Sequence, residues 1–100
     1  MVHHIVCWNF VEELSEKERQ EAGMLIKQKL EEIRPHAQGA LSIEVKINEL
    51  SSSNRDIALI STFETVEDLK AYQVHPMHVE AGKYIRSVTC DRACIDYEEK

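Results

Sequence analysis

Leu41-Ser-Ile-Glu-Val-Lys-Ile47 and Asp56-Ile-Ala-Leu-Ile-Ser-Thr-Phe63 are two alternating segments separated by the polar loop Leu50-Ser-Ser-Ser-Asn-Arg55. In the first, Leu41, Ile43, Val45 and Ile47 fall on one side, and Ser42, Glu44 and Lys46 on the other. A period of two marks a half-buried strand, because successive side chains leave opposite faces of the sheet. The second segment sets Ile57, Leu59 and Phe63 on its inner side. Ala58, Ile60 and Thr62 occupy its outer side and are too apolar to be left in water. That outer face therefore predicts a partner surface, which a second subunit would supply.

The flanking segments complete the pattern. Residues 2–11 alternate, with Val2, His4, Val6, Trp8 and Phe10 on one face and His3, Ile5, Cys7, Asn9 and Val11 on the other. Neither face is fully polar, so both are expected to be covered. Ser15 followed by Glu18 has the spacing of a capping box, and a helix is predicted from about Glu16 to Arg34. Ala22, Ile26, Leu30 and Ile33 form its apolar stripe, widened by Leu25. Pro35 ends it, because the residue before proline avoids helical geometry. Thr65 and Asp68 open a second helix that runs to about Val74. Pro76 breaks it, a shorter helical stretch follows from roughly Met77 to Ile85, and residues 87–97 read as the last strand.

The resulting order, β-α-β-β-α-β, is that of an α+β, ferredoxin-like unit. Right-handed crossovers place both helices on one face of a four-stranded antiparallel sheet. The other face carries Ile5, Cys7, Ala58 and Ile60. Two such faces packed together would form a dimeric α+β barrel.

The chain has 100 residues, enough for a single domain with one modest core. Its formal net charge is −6, and its basic residues are scattered. Binding phosphates needs clustered Lys and Arg, so nucleic acids and anionic membranes are not expected partners. No apolar run reaches membrane-spanning length, and the start lacks the features of a signal peptide. The three cysteines, Cys7, Cys90 and Cys94, do not make a disulfide framework. Cys90 and Cys94 lie on one predicted strand, too far apart along it to bridge. Reduced thiols in a cytoplasmic protein are the expectation.

The densest chemistry lies in Ala71-Tyr-Gln-Val-His-Pro-Met-His-Val79, at the helix break. Irregular backbone there can aim side chains into a cavity. A histidine titrates near neutrality and can accept a proton. A tyrosine hydroxyl can hold a carbonyl or phenolate oxygen. His78 as base with Tyr72 as oxygen anchor is coherent chemistry. The same residues also admit a structural reading, in which His75 caps the short helix and His78 packs beside Tyr72.

Four features together resemble the stress-responsive A/B barrel (Dabb) family. They are His4-Ile5-Val6 with Phe10, Thr62-Phe63-Glu64, the segment Tyr72-x-x-His75-Pro76-x-His78-Val79, and Asp96-Tyr97. The resemblance covers essentially the whole chain and implies a ferredoxin-like unit that dimerises through its sheets. One branch of the family is the plant polyketide cyclase that forms olivetolic acid. Its motif implies His78 as base, Tyr72 as substrate anchor and His4 as a pocket histidine. Val6, Trp8, Leu59 and His75 would join His4 as ligand-binding residues. This chain has Ile57 where the cyclase has a further histidine and Glu80 where it has a glycine. Trp8 and Arg92 replace smaller or apolar pocket residues. The resemblance therefore implies the fold rather than the cyclase's substrate. It also brings the precedent of a magnesium ion held by backbone oxygens near Pro35.

No cofactor is expected. A side-chain metal site is not expected either, because His3 and His4 point to opposite faces and no carboxylate or thiolate is evidently placed to complete a set. Cys7 points away from His4, which favours a packed, inert thiol. Three roles follow. The dimer binds a small apolar or aromatic molecule between sheet and helices; it catalyses a lyase-, cyclase- or isomerase-type proton abstraction there; or it serves as a purely structural dimer.

Overall fold

The computed structural model describes Met1–Lys100. Four strands, β1 (Val2–Phe10), β2 (Ala40–Ile47), β3 (Ile57–Phe63) and β4 (Thr89–Glu98), form one antiparallel sheet in the order β2-β3-β1-β4. Three helices, α1 (Glu16–Glu31), α2 (Val66–Gln73) and α3 (Pro76–Val88), lie on one face. This is the ferredoxin-like arrangement that the alternation and helix signals imply.

Strand β1 shows its period of two directly: every even residue from Val2 to Phe10 is buried and every odd one is partly exposed. The core forms where this face meets α1 through Ala22, Ile26 and Leu30. From β3 come Ile57, Leu59 and Phe63, and from α2 and α3 come Leu69, Tyr72, Ala81 and Ile85. Ser61 is the one hydroxyl on the inner side of β3, and it is fully buried. It donates to the His4 carbonyl at 2.8 Å, which satisfies it and ties β1 to β3 at the height of His4.

Helix α1 opens with the full capping box: the Ser15 side chain accepts from the Glu18 N–H, and Glu18 accepts from the Ser15 N–H. The Ser15 N–H first, and then the Ser15 side chain, hold the Glu18 carboxyl below its ordinary range. The helix ends at Glu31 rather than near Arg34, and the chain continues as a 3₁₀ turn over Arg34–His36 with Pro35 inside it. A 3₁₀ turn tolerates the missing proline N–H at its start, so Pro35 diverts the helix instead of merely stopping it. Leu25 does not widen the buried stripe; it is exposed. Leu41 is exposed as well, contrary to its place in the alternation. The β2–β3 register shifts between Ala40 and Ser42, which leaves Leu41 as the unpaired residue of a bulge.

Gly39 has φ +76°, and an added Cβ would lie within 2.0 Å of an Asp68 carboxylate oxygen. Only glycine allows this turn to sit against the first turn of α2, the helix that carries Tyr72. Helix α3 extends three residues beyond the expected end, to Val88, and β4 begins at Thr89.

The face away from the helices carries Ile5, Cys7, Ala58 and Ile60, joined on β4 by Ala93, Ile95 and Tyr97, which pair with Cys7, Ile5 and His3. Ile60, Ile95 and Tyr97 are 41%, 58% and 44% exposed in the single chain. His3 and Tyr97 stack, with centroids 4.6 Å apart and planes 7° from parallel.

Candidate functional site

Every residue from Cys90 to Glu98 is exposed, including those facing the helix side. Antiparallel pairing sets Asp96 beside His4 and Cys94 beside Val6, so Asp96 and Cys94 share the helix-side face with them. The helix-side face of β4 is therefore an exposed shelf beside β1.

His4 is the buried histidine of the chain, 2% exposed. Its Nδ1 lies 2.5 Å from Asp96 Oδ1. A carboxylate only accepts, so His4 Nδ1 donates to Asp96 Oδ1. Cys94 Sγ lies 3.9 Å from the same Nδ1 and 3.6 Å from the same Oδ1.

Tyr72 reaches this place from α2. Leu69 and Tyr72, three residues apart, share the buried face of that helix, which Thr65 caps by accepting from the Asp68 N–H. The Tyr72 ring lies 5.0 Å from Phe63, 6.3 Å from His4 and 4.6 Å from His78, edge-on to the last at 61°. Its hydroxyl is buried and meets no hydrogen-bond partner from the chain itself. Burial pushes its pKa far above the usual phenol value, so it remains a donor at any physiological pH.

His75 and His78 divide the labour at the helix break. His75 Nδ1 accepts from the Met77 N–H at 3.1 Å and caps α3, with Pro76 in the first helical position. His78, partly buried, faces Tyr72. Burial lowers its pKa, and the neighbouring His4, Arg86 and Arg92 press the same way against a backbone hydrogen bond at Gln73. His78 is therefore a neutral imidazole at neutral pH, able to take a proton.

This shift has a measurable sign. The unfolded chain protonates His78 near pH 6.5, whereas the folded chain does so only at lower pH. Between those values the unfolded state binds more protons, so the His78 contribution to stability is complete above pH 6.5 and falls as the pH drops through the window. Urea denaturation of the wild type and of His78→Asn between pH 7.5 and 5 should show the variant losing less stability on acidification. Equal slopes would mean that His78 titrates normally.

Of the residues singled out from sequence, Tyr72, His78 and His4 come together. His75 lies next to them in sequence but serves as a cap. Val6, Trp8 and Leu59 are 1%, 7% and 2% exposed and belong to the packed core beneath. An open groove of about 800 Å³ lies elsewhere, along the β2–β3 connection between Met24, Val45, Asn48 and Arg55, and none of these seven residues lines it. Asp96 and Cys94 were not assigned a role from sequence. Asp96 stood only among the resembling residues, and Cys94 only among the thiols. Asp96 is 92 residues and Cys94 90 residues from His4, and only the strand register brings them together.

The cysteines are free. Burial and then Asp96 push the Cys94 thiol up, with Arg92 opposing.

The family model of the Stress responsive A/B Barrel Domain matches residues 2–99. A solved structure from Bacteroides fragilis, described as a dimeric protein of unknown function and ferredoxin-like fold, is 33% identical. It superposes with a TM-score of 0.91, over 98% of this chain and 95% of that one. A dimeric ferredoxin-like protein of unknown function from Thermobifida fusca is 20% identical, with a TM-score of 0.79 over 98% and 90% of the two chains. A Dabb family protein of Mesorhizobium loti is 16% identical, with a TM-score of 0.70 over 99% and 96%. The last two show likeness of fold. No curated protein matches the chain.

Proposed function

Because this chain belongs to the stress-responsive A/B barrel domain family, we propose that it is a homodimer whose subunits each bind a small apolar or aromatic molecule on the β4 shelf. The observation that carries this reading is the Tyr72 hydroxyl. A buried donor without a partner is unfavourable by about 1–3 kcal/mol, and native folds keep such groups where something else completes them. A carbonyl or phenol oxygen of a ligand fits that need. His78, partly buried, flanks the phenol edge-on at 4.6 Å. His4, braced by Asp96, supplies a second polar contact, and the core residues Val6, Trp8 and Leu59 form the apolar floor. His75 takes part by holding the turn that positions His78.

The dimer is supported by the uncovered apolar face and by relatives described as dimeric. No helix is long and apolar enough to cross a membrane, and the free thiols accord with a reducing, cytoplasmic setting.

A second reading, proton abstraction beside a carbonyl, draws on the pairing of a neutral His78 with a protonated Tyr72. The phenol would steady the developing enolate oxygen while the imidazole takes the proton. This is lyase- or isomerase-type chemistry and needs no cofactor.

Native mass spectrometry of protein purified from its own cells tests the binding reading. The expected spectrum is a dimer carrying one small molecule per chain, released on denaturation. A dimer with the bare mass of two 11.6 kDa chains would contradict it.

A further inference from the structure

We propose that His4 Nδ1, Cys94 Sγ and Asp96 Oδ1 form a binding site for a divalent transition-metal ion of the zinc or cobalt kind. This goes beyond the small-molecule reading and stands without it. Three donors of three different side chains converge here, all within 4.8 Å of one another. Zinc bonds of about 2.0–2.3 Å in a tetrahedron set ligand atoms roughly 3.3–3.7 Å apart. Cys94 Sγ to Asp96 Oδ1 at 3.6 Å lies in that range, and Cys94 Sγ to His4 Nδ1 at 3.9 Å lies just beyond it. The 2.5 Å contact between His4 and Asp96 is a hydrogen bond, which an ion would replace. Opening it asks little of the fold, because the Asp96 side chain is 43% exposed.

The donor set selects the ion. A thiolate and an imidazole suit zinc, cobalt or ferrous iron, whereas magnesium and calcium prefer an all-oxygen shell. Three protein ligands leave a fourth position open, as in zinc sites that bind water or substrate rather than in closed structural ones. Exposure of Cys94 and Asp96 gives the ion a way in. Binding requires the Cys94 thiol to give up its proton to solvent, so affinity should rise with pH. Sequence alone places no thiolate or carboxylate beside the histidines. Strand β4 supplies one of each, across ninety residues of chain from His4.

The test uses the full chain, stripped with chelator, kept reduced and titrated with cobalt(II) chloride. A thiolate-to-cobalt charge-transfer band should grow and saturate at one ion per chain. Zinc should displace it, and excess magnesium should not. Cys94→Ala, on an exposed edge strand, should fold normally and lack the band, while Cys7→Ala and Cys90→Ala keep it. Asp96→Asn should weaken binding by roughly 10–100-fold, the scale on which even outer-sphere partners of a metal act. Absence of the band in the reduced wild type, or its survival in Cys94→Ala, would overturn the proposal. Neither result depends on whether an organic molecule occupies the shelf.

Discussion

Ile5→Asp is expected to convert the protein from a dimer to a folded monomer. Ile5 lies at the centre of the uncovered face, paired with Ile60 on β3 and Ile95 on β4. In the single chain all three are at least partly exposed, so a carboxylate there stays hydrated and the fold survives. In a sheet-to-sheet dimer the same carboxylate would be buried without a counter-charge. An uncompensated buried charge weakens association by about 3–5 kcal/mol, which is at least ~100-fold in dissociation constant. Sedimentation equilibrium reads this directly. A variant that remains dimeric at the wild-type strength would place the interface elsewhere. Loss of the folded circular dichroism spectrum would mean that Ile5 supports the monomer core.

Tyr72→Phe should abolish most of the binding of any ligand that copurifies with the wild type. The substitution removes one oxygen and leaves the ring contacts with Phe63, His4 and His78 in place. A ligand carbonyl or phenol would lose its donor at a hydroxyl that is itself buried. A hydrogen bond in such a setting contributes about 0.5–1.5 kcal/mol, and more when the partner carries charge. Binding is therefore expected to fall roughly 2- to 12-fold for a neutral ligand oxygen and further for a phenolate. If the enolate reading holds, turnover should fall more than binding, because the oxygen carries most charge in the transition state. Unchanged binding in calorimetry would show that the ligand never meets the hydroxyl.

The legible part of this molecule was its periodicity. Alternation at 2–10, 41–47 and 57–63 and the Ser15 and Thr65 caps state their meaning locally, because each depends on residues a few positions apart. Leu41 shows where that logic stops. A bulge adds one residue to one strand, and no property of Leu41 itself marks it as the extra one. The register between β1 and β4 is hidden for the same reason. It shifts between Cys7 and Asn9, opposite Asp91, which adopts φ 53°. That shift decides which β4 residues meet His4.

The site was half legible. Tyr72 and His78 stand close together in the chain at a proline break, and the break is what makes them conspicuous. Alternation sets His4 on one face with Val6 and Trp8, and the family resemblance makes it a pocket histidine. Asp96 and Cys94 could not be given roles, since their meaning lies entirely in what stands across the sheet from them. His75 shows the converse: two histidines of similar prominence separate into a helix cap and a site residue only when their partners are visible.

Stability shows whether the Tyr72 hydroxyl is held for something outside the chain. Urea denaturation of ligand-free wild type and Tyr72→Phe decides this most directly. With no internal partner to lose, the phenylalanine variant should be as stable as the wild type or more stable by about 1 kcal/mol. A variant less stable by that amount would mean that the hydroxyl already bonds within the folded protein and awaits no ligand.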